Sequence, residues 1–402
     1  MQLFSDPLLD EFASWALGFS PTGGGDLGEI LAIAAAHSDV HDDEFFDAWC
    51  GAAHRHYDAA TAAETAGHRS SARDHYLRAA SYLTVANHPL YGSPVDPRLR
   101  HAFDLQAQAF EQAMALGEPP GEPLKIPFEC HDMRGYFLRA RGTAPGERRP
   151  LVIATNGYDA TLCDMFFATG AYMTDRGYNC LLFDGPGQGA MLVHDGVAMV
   201  PDWERVISPV VDFALDRPDV DPDRIVLHGW SLGGFLALRA ASGEHRLAAC
   251  VADPAQAGVF DARMAAAVGL SQQDVDNLPE ISDAGLATLD RLVETDRSVR
   301  WNLVNRDYWV NGAHDIRSLL RAVAPFTIEG RLDQVTCPVL GTTAQNDPLS
   351  AGAEELLARM KTPTTLLRFT AVEGADMHCE LLNRPLLNRR VLDWLDDVLA
   401  VR

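Results

Sequence analysis

The sequence is poor in lysine, in paired cysteines and in long apolar runs, and each shortage closes a class of explanation. Only Lys125 and Lys361 are lysines, and 33 Lys plus Arg stand against 56 Asp plus Glu, a formal net charge of −23. Nucleic acid and anionic membrane surfaces are held chiefly by Lys and Arg, so neither fits as the main partner, and a small molecule does. The seven cysteines, Cys50, Cys130, Cys163, Cys180, Cys250, Cys337 and Cys379, are scattered and contain no CxxC pair. They read as reduced thiols, with no disulfide framework and no metal site. No run of about 18 apolar residues occurs, so no membrane-spanning helix is expected. The opening MQLFSDPLLDEF has neither the basic nor the apolar region of a signal peptide, and a cytoplasmic location is expected. The glycine turn FDGPGQG, 183–189, lacks GK[ST] and does not fit GxGxxG. It reads as a tight strand-exit turn, and no cofactor is expected.

What is present is globular, with 47% apolar residues, too many for a disordered chain. From about residue 28 to 117 apolar residues recur at helical spacing, as in EILAIAAAHSD and SARDHYLRAASYLTVANHP, which predicts a helical unit. Gly67 followed by Ser70 and Ser71 predicts a helix stop and a new N-cap, and His88-Pro89 ends the next helix. GEPPGEP, 117–123, marks a boundary. Beyond it the hairpin PFECHDMRGYFLRA is followed by apolar runs (LVIATNG, NCLLF, RIVLHGW, LAACVAD, CPVLGTTA, TLLRFTA) separated by helical stretches. Such alternation predicts an α/β fold, a mostly parallel sheet with helices on both faces. Between Asp253-Pro254 and about Ile328 the rhythm breaks into helical patterns carrying Trp301, Tyr308 and Trp309, a helical cap inserted over the sheet's edge. The expected division is a helical N-terminal domain at 1–122, a catalytic core at 123–253 and 329–402, and the cap at 254–328.

The chemistry concentrates in Gly229-Trp230-Ser231-Leu232-Gly233, between the strand RIVLHG and the helical GFLALRAAS. Strand, GxSxG and helix in that order form a nucleophile elbow, with Ser231 as nucleophile and the N–H of Leu232 as an oxyanion donor. Its partners should follow in the order acid, then histidine, on loops after later strands. Asp347 follows CPVLGTTAQN and His378 follows TLLRFTAVEGADM, which makes them the acid and the base. Asp253 is a rival acid, and Glu373 and Asp376 flank the histidine loop. The second oxyanion donor is expected from Gly157 or Tyr158 in NGYDATLCD. That loop also carries Asp159 and Asp164, each either an N-cap of the following helix or a candidate assisting acid. Trp230, Trp301, Tyr308 and Trp309 either wall an apolar substrate pocket or pack the cap onto the core.

These motifs, with HYLRAASYLTVANHPLYG, WNLVNRDYWVNG and the closing MHCE, resemble the α/β-hydrolase superfamily. The resemblance runs from about residue 50 onward. It points to the branch with an N-terminal helical domain that includes 2,6-dihydroxypseudooxynicotine hydrolase, fungal polyketide-shortening pigment hydrolases and fermentation-respiration switch esterases. It implies the α/β-hydrolase fold and a homodimer, to which the apolar helix pair also inclines. It also implies cleavage of an ester, or of a carbon–carbon bond next to a carbonyl, in an aromatic or polyketide-like molecule of secondary metabolism. The alternative is a lyase of the same fold that eliminates an acyl group such as acetate in natural-product (polyketide or tetronate) biosynthesis. In the nicotine-degrading relative a Glu in the loop after the first long strand assists the triad; here that loop offers Asp159 and Asp164.

Overall fold

A computed structural model describes residues 2–144, 146–260 and 262–400, so the outermost residues of the terminal divisions, residue 145 of the core and residue 261 of the insertion lie outside it. The described chain opens with α1 (Pro7–Phe19), α2 (Leu27–Ala36), α3 (Asp42–Thr65), α4 (Arg69–Asn87) and α5 (Pro97–Ala115). Helix α1 lies upstream of the periodicity that begins near residue 28. The Asp6 carboxylate accepts from the N–H groups of Leu8 and Leu9, and Pro7 fills a first-turn position where its missing N–H costs nothing. Asp96 and Pro97 start α5 in the same way. Gly67, at φ +82°, makes the expected stop after α3. The next helix then starts from His68, so Ser70 and Ser71 lie inside its first turn instead of capping it.

Strands β1 (Glu122–Phe128) and β2 (His131–Leu138) form the expected hairpin. With β3 (Arg149–Thr155), β4 (Asn179–Phe183), β5 (Val220–Trp230), β6 (Ala249–Asp253), β7 (Val339–Ala344) and β8 (Thr364–Phe369) they build one sheet in the order β1-β2-β4-β3-β5-β6-β7-β8. The pairs β1–β2 and β2–β4 are antiparallel and the others parallel. Strands β4 and β6 are buried along their whole length, as a sheet covered on both faces requires. One face packs on the helices Glu204–Leu215 and Leu232–Ala241 through Val206, Val210 and Phe235. The other meets the helix Arg384–Val398 through Leu387 and Val391, and α4 and α5 join that same cluster through Tyr76, Leu77, Phe110 and Met114.

The chain leaves β3 for β4 on one side and later lays β5 on β3's other side. The carboxyl ends of β3 and β5 therefore flank the point where the winding reverses, and there an open α/β sheet leaves a crevice. The insertion is helical, including Asp283–Thr295 and Ile316–Val323, around a small core of Leu270, Ile281, Leu289, Ile316 and Leu320. An isolated bridge from Gly258 to Thr327 joins its two ends. Among the described residues no helix is long and apolar enough to cross a membrane.

Candidate active site

Ser231 joins the end of β5 to the helix Leu232–Ala241 at φ 60°, ψ −128°, a conformation that residues with a Cβ rarely adopt and that marks functional turns. The neighbouring glycines make it sterically feasible. A Cβ on Gly229 would overlap the carbonyl oxygen of Gly233, and one on Gly234 would overlap that of Pro254. A Cβ on Gly233 would stand 2.5 Å from the carbonyl oxygen of Thr155. The Ser231 N–H donates to the Asp253 carbonyl at 2.7 Å, tying the turn to the end of β6.

The hydroxyl of Ser231 lies 2.9 Å from His378 Nε2, and His378 Nδ1 lies 2.9 Å from Asp347 Oδ2. The half-buried imidazole thus bridges an alcohol and a carboxylate that is itself buried and held by the Leu349 N–H at 3.0 Å. Burial pulls the His378 pKa down. The hydrogen bond and charge of Asp347, helped by the charges of Asp253 and Asp159, outweigh it and hold the pKa above its usual value. Asp253, the rival acid, does not reach the imidazole. Its carboxylate is engaged by Arg384 Nη1 at 2.6 Å and by the Thr342 hydroxyl at 2.9 Å. Glu373 is bound to Arg390, and Asp376 to Asn346.

The loop after β3 runs against the elbow. A Cβ on Gly157 would lie 2.7 Å from Leu232 N and 3.1 Å from Ser231 Cβ, so Gly157 lies directly against the elbow. The Tyr158 phenol receives a hydrogen bond from Asn311 of the insertion at 3.1 Å. Asp159 pairs with Arg306 at 3.1 Å. Arg306 also binds Asp307 and lies over the rings of Tyr158 and Trp301. Trp301 and Arg306 share one face because Trp301–Asp307 is a π-helical turn, which brings residues five apart into line. Asp164 is placed differently. It closes a capping box with Thr161 and accepts from the Thr84 hydroxyl at 2.6 Å, so both oxygens are taken. Burial pushes its pKa up to about 6 against those bonds.

The aromatic residues divide. Trp309, with Tyr158, Tyr91, Phe103 and Leu192, lines a cavity of about 20 Å³, room for one water. Trp301 packs on Phe12, His88 and Tyr91, between the insertion and the N-terminal helices. Tyr308 joins the insertion's own core, and Trp230 packs on Trp15, Phe19 and the Arg384 guanidinium. Neither of the last two lines that cavity. Glu11 of α1 was not legible as a site residue, because nothing distinguishes it from any charge on an exposed helical face. Yet it feels the charges of Asp159, Arg306 and His378. The surrounding protein and Asp159 raise its pKa although the side chain still meets solvent. Asp184 was also missed. Asn156 Nδ2 and the Leu162 N–H donate to it at 2.9 and 2.8 Å, and burial pushes its pKa up to about 7. Among the described residues no group of His, Cys, Asp and Glu is arranged to hold a metal ion.

Residues 152–387 match the model of the alpha/beta hydrolase family. The chain is 29% identical to the hydrolase LUC6 of Fusarium sp over 96% of its own length and 95% of that protein's. It is 28% identical to the 20-hydroxy-prefusarin hydrolase FUS2 of Gibberella moniliformis, with the same coverage. Among solved structures, 2,6-dihydroxy-pseudo-oxynicotine hydrolase superposes with a TM-score of 0.73 at 22% identity, covering 95% of both chains.

Proposed function

The chain belongs to the alpha/beta hydrolase family, and from that premise we propose that it is a cofactor-independent serine hydrolase. Its proposed substrate is a small aromatic or polyketide-like molecule, cleaved at an ester or at a carbon–carbon bond next to a carbonyl. One observation carries the reading: the unbroken path of two 2.9 Å contacts from Ser231 through His378 to Asp347. His378 Nε2 takes the hydroxyl proton as Ser231 Oγ bonds to the substrate carbonyl carbon. The N–H groups of Leu232 and Tyr158 receive the developing oxyanion, aided by the positive end of the helix that starts at Leu232. When the carbon–oxygen or carbon–carbon bond breaks, the imidazolium gives its proton to the leaving group. In the carbon–carbon case that leaving group is a carbanion delocalised into its own carbonyl. Water then attacks the acyl-enzyme, with the same imidazole as base. Asp159 is the proposed assisting acid. Its pairing with Arg306 at 3.1 Å beside Tyr158 keeps a carboxylate at the wall, where it can accept a substrate hydroxyl. The names of the relatives, one a 20-hydroxy-prefusarin hydrolase, support a small organic substrate.

Turnover in oxygen-18 water tests the reading. Hydrolysis places the label in the released carboxyl group, whereas unlabelled products formed by elimination would overturn it in favour of the acyl-eliminating lyase.

The raised pKa of His378 sets the pH dependence. Only the neutral imidazole can accept the serine proton, so kcat/KM is expected to rise with pH through an inflection above the ordinary histidine value of about 6.5. Asp347→Asn removes the main upward pull, so its residual activity should titrate at a lower pH. An unmoved inflection would separate Asp347 from the titrating base.

A further inference from the structure

The turn FDGPGQG sits behind the loop that carries Gly157 and Tyr158, and none of the steps above uses it. Gln188 is 1% exposed. Its Nε2 donates to two consecutive carbonyl oxygens of that loop, Asn156 at 2.8 Å and Gly157 at 3.1 Å, while its Oε1 accepts from the Gly185 N–H at 3.0 Å. The amide orientation is consistent with all three contacts, because a carbonyl oxygen cannot donate to the other two. The turn reaches this position because Gly187 adopts φ +78° and Gly189 φ +44°, where a Cβ on Gly189 would overlap the Asp184 carboxylate.

In a trans peptide the C=O and the following N–H point in opposite directions. Gripping the Gly157 carbonyl therefore turns the Tyr158 N–H away from Gln188, in a loop so close to the elbow that a Cβ on Gly157 would lie 2.7 Å from Leu232 N and 3.1 Å from Ser231 Cβ. Among the described residues that N–H donates to no protein acceptor. The outward-facing alternative, a half-turn of the peptide plane, would point the carbonyl oxygen at the developing negative charge.

We propose that Gln188 is a positioning residue that locks the Gly157–Tyr158 peptide with its N–H toward Ser231 and so keeps the oxyanion site formed before substrate arrives. The assignment rests on the serine-hydrolase reading above. Gln188 touches no substrate; it acts through the peptide it holds. Asp184 supports the same loop from its flank through Asn156 Nδ2 and the Leu162 N–H.

The test uses the full chain and an activated aryl ester. Gln188→Glu keeps the shape and the acceptor for Gly185, but an ionised carboxylate faces two carbonyl oxygens with no donor. Gln188→Met keeps the volume and removes donor and acceptor alike, which guards against a fold lost to a buried charge. Loss of one oriented donor costs on the order of 10²- to 10³-fold in kcat. With partial reorientation, Gln188→Met is expected to lower kcat about 10- to 100-fold with KM changed by about twofold or less. The affinity for an aryl boronic acid, whose tetrahedral anion occupies the oxyanion position, should fall in parallel. A folded Gln188→Met with wild-type kcat overturns the assignment, and so does a kcat loss with unchanged boronate affinity. Ser231→Ala measured alongside separates the two layers. If it also turns over normally, the serine-hydrolase reading fails; if it is dead while Gln188→Met is unimpaired, only the positioning role fails.

Discussion

Ser231→Ala is expected to lower kcat/KM on an activated ester by about 10⁴- to 10⁶-fold and to abolish labelling by a fluorophosphonate, with the thermal midpoint almost unchanged. The size of the loss follows from the relay. Without Oγ no acyl-enzyme can form, and only binding, the two N–H donors and the imidazole acting directly on water remain to favour cleavage. The small effect on stability follows because alanine keeps the Cβ that the elbow already accommodates at φ 60° and gives up one hydrogen bond, that to His378. Cys379 offers a second nucleophilic atom near the same imidazole, its Sγ 3.4 Å from Nε2. Burial holds that thiol's pKa far above its usual value, so it does not take over, and Ser231→Ala combined with Cys379→Ser should be no slower than Ser231→Ala alone. Retention of more than about a tenth of the wild-type rate, against the expected loss, would remove Ser231 from the mechanism.

Arg384→Met is expected to destabilise the fold by about 3–5 kcal/mol, because removing one partner strands a buried charge. Arg384 and Asp253 are both fully buried and bonded at 2.6 Å. The same guanidinium holds the Cys379 carbonyl at 2.7 Å and the Ala168 carbonyl at 3.0 Å. The first of these bonds matters for activity too. Cys379 and Glu380 stand at φ 54° and 49° directly after His378, and such backbone persists only where its surroundings hold it. Without the guanidinium the turn should relax and carry His378 out of reach of Ser231. Urea unfolding measures the first effect and turnover of the folded fraction the second. Asp253→Asn added to Arg384→Met should recover part of the stability, since no carboxylate is then left unpaired. A cost below about 1 kcal/mol, the level of an exposed pair, would show the ion pair to be incidental.

Glu380 adds a pH signature to the same network. Burial first, then the charge of Asp253 and a hydrogen bond to it, raise its pKa well above the carboxylate range. The folded chain therefore keeps a proton that the unfolded chain releases. That contribution is complete below the unfolded value of about 4.5 and is lost as pH rises toward the folded one. Glu380→Gln, which mimics the protonated form, should flatten the fall in stability over that interval.

Much of the fold was legible because its elements are local. The parallel strands are short apolar runs, β3 ended by Asn156-Gly157 and β6 by Pro254, and the glycines around Ser231 announce a turn that excludes side chains. The order Ser231, Asp347, His378 could be read because each residue follows a strand. Helix α1 was not legible, since its Asp6-Pro7 start lies upstream of the helical periodicity that begins near residue 28. The choice between Asp159 and Asp164 was not legible either. Both open a helix in the sequence, and only the packing of α4 brings Thr84 onto Asp164 while the insertion brings Arg306 onto Asp159.

By itself the sequence determined the α/β class, the position of the elbow and the strand ends where chemistry could gather, because these depend on patterns within a few residues. Only the tertiary structure decided that Asp253 belongs to Arg384 and not to His378, that Glu11 stands among the charges of the site, and that Gln188 grips the loop beside Ser231. Those relations join residues from about 30 to several hundred positions apart, as Gln188 is from Asn156 and Glu11 from His378. Neither partner's neighbours in the chain carry a trace of the other, because the contact exists only once the sheet has brought the two segments together.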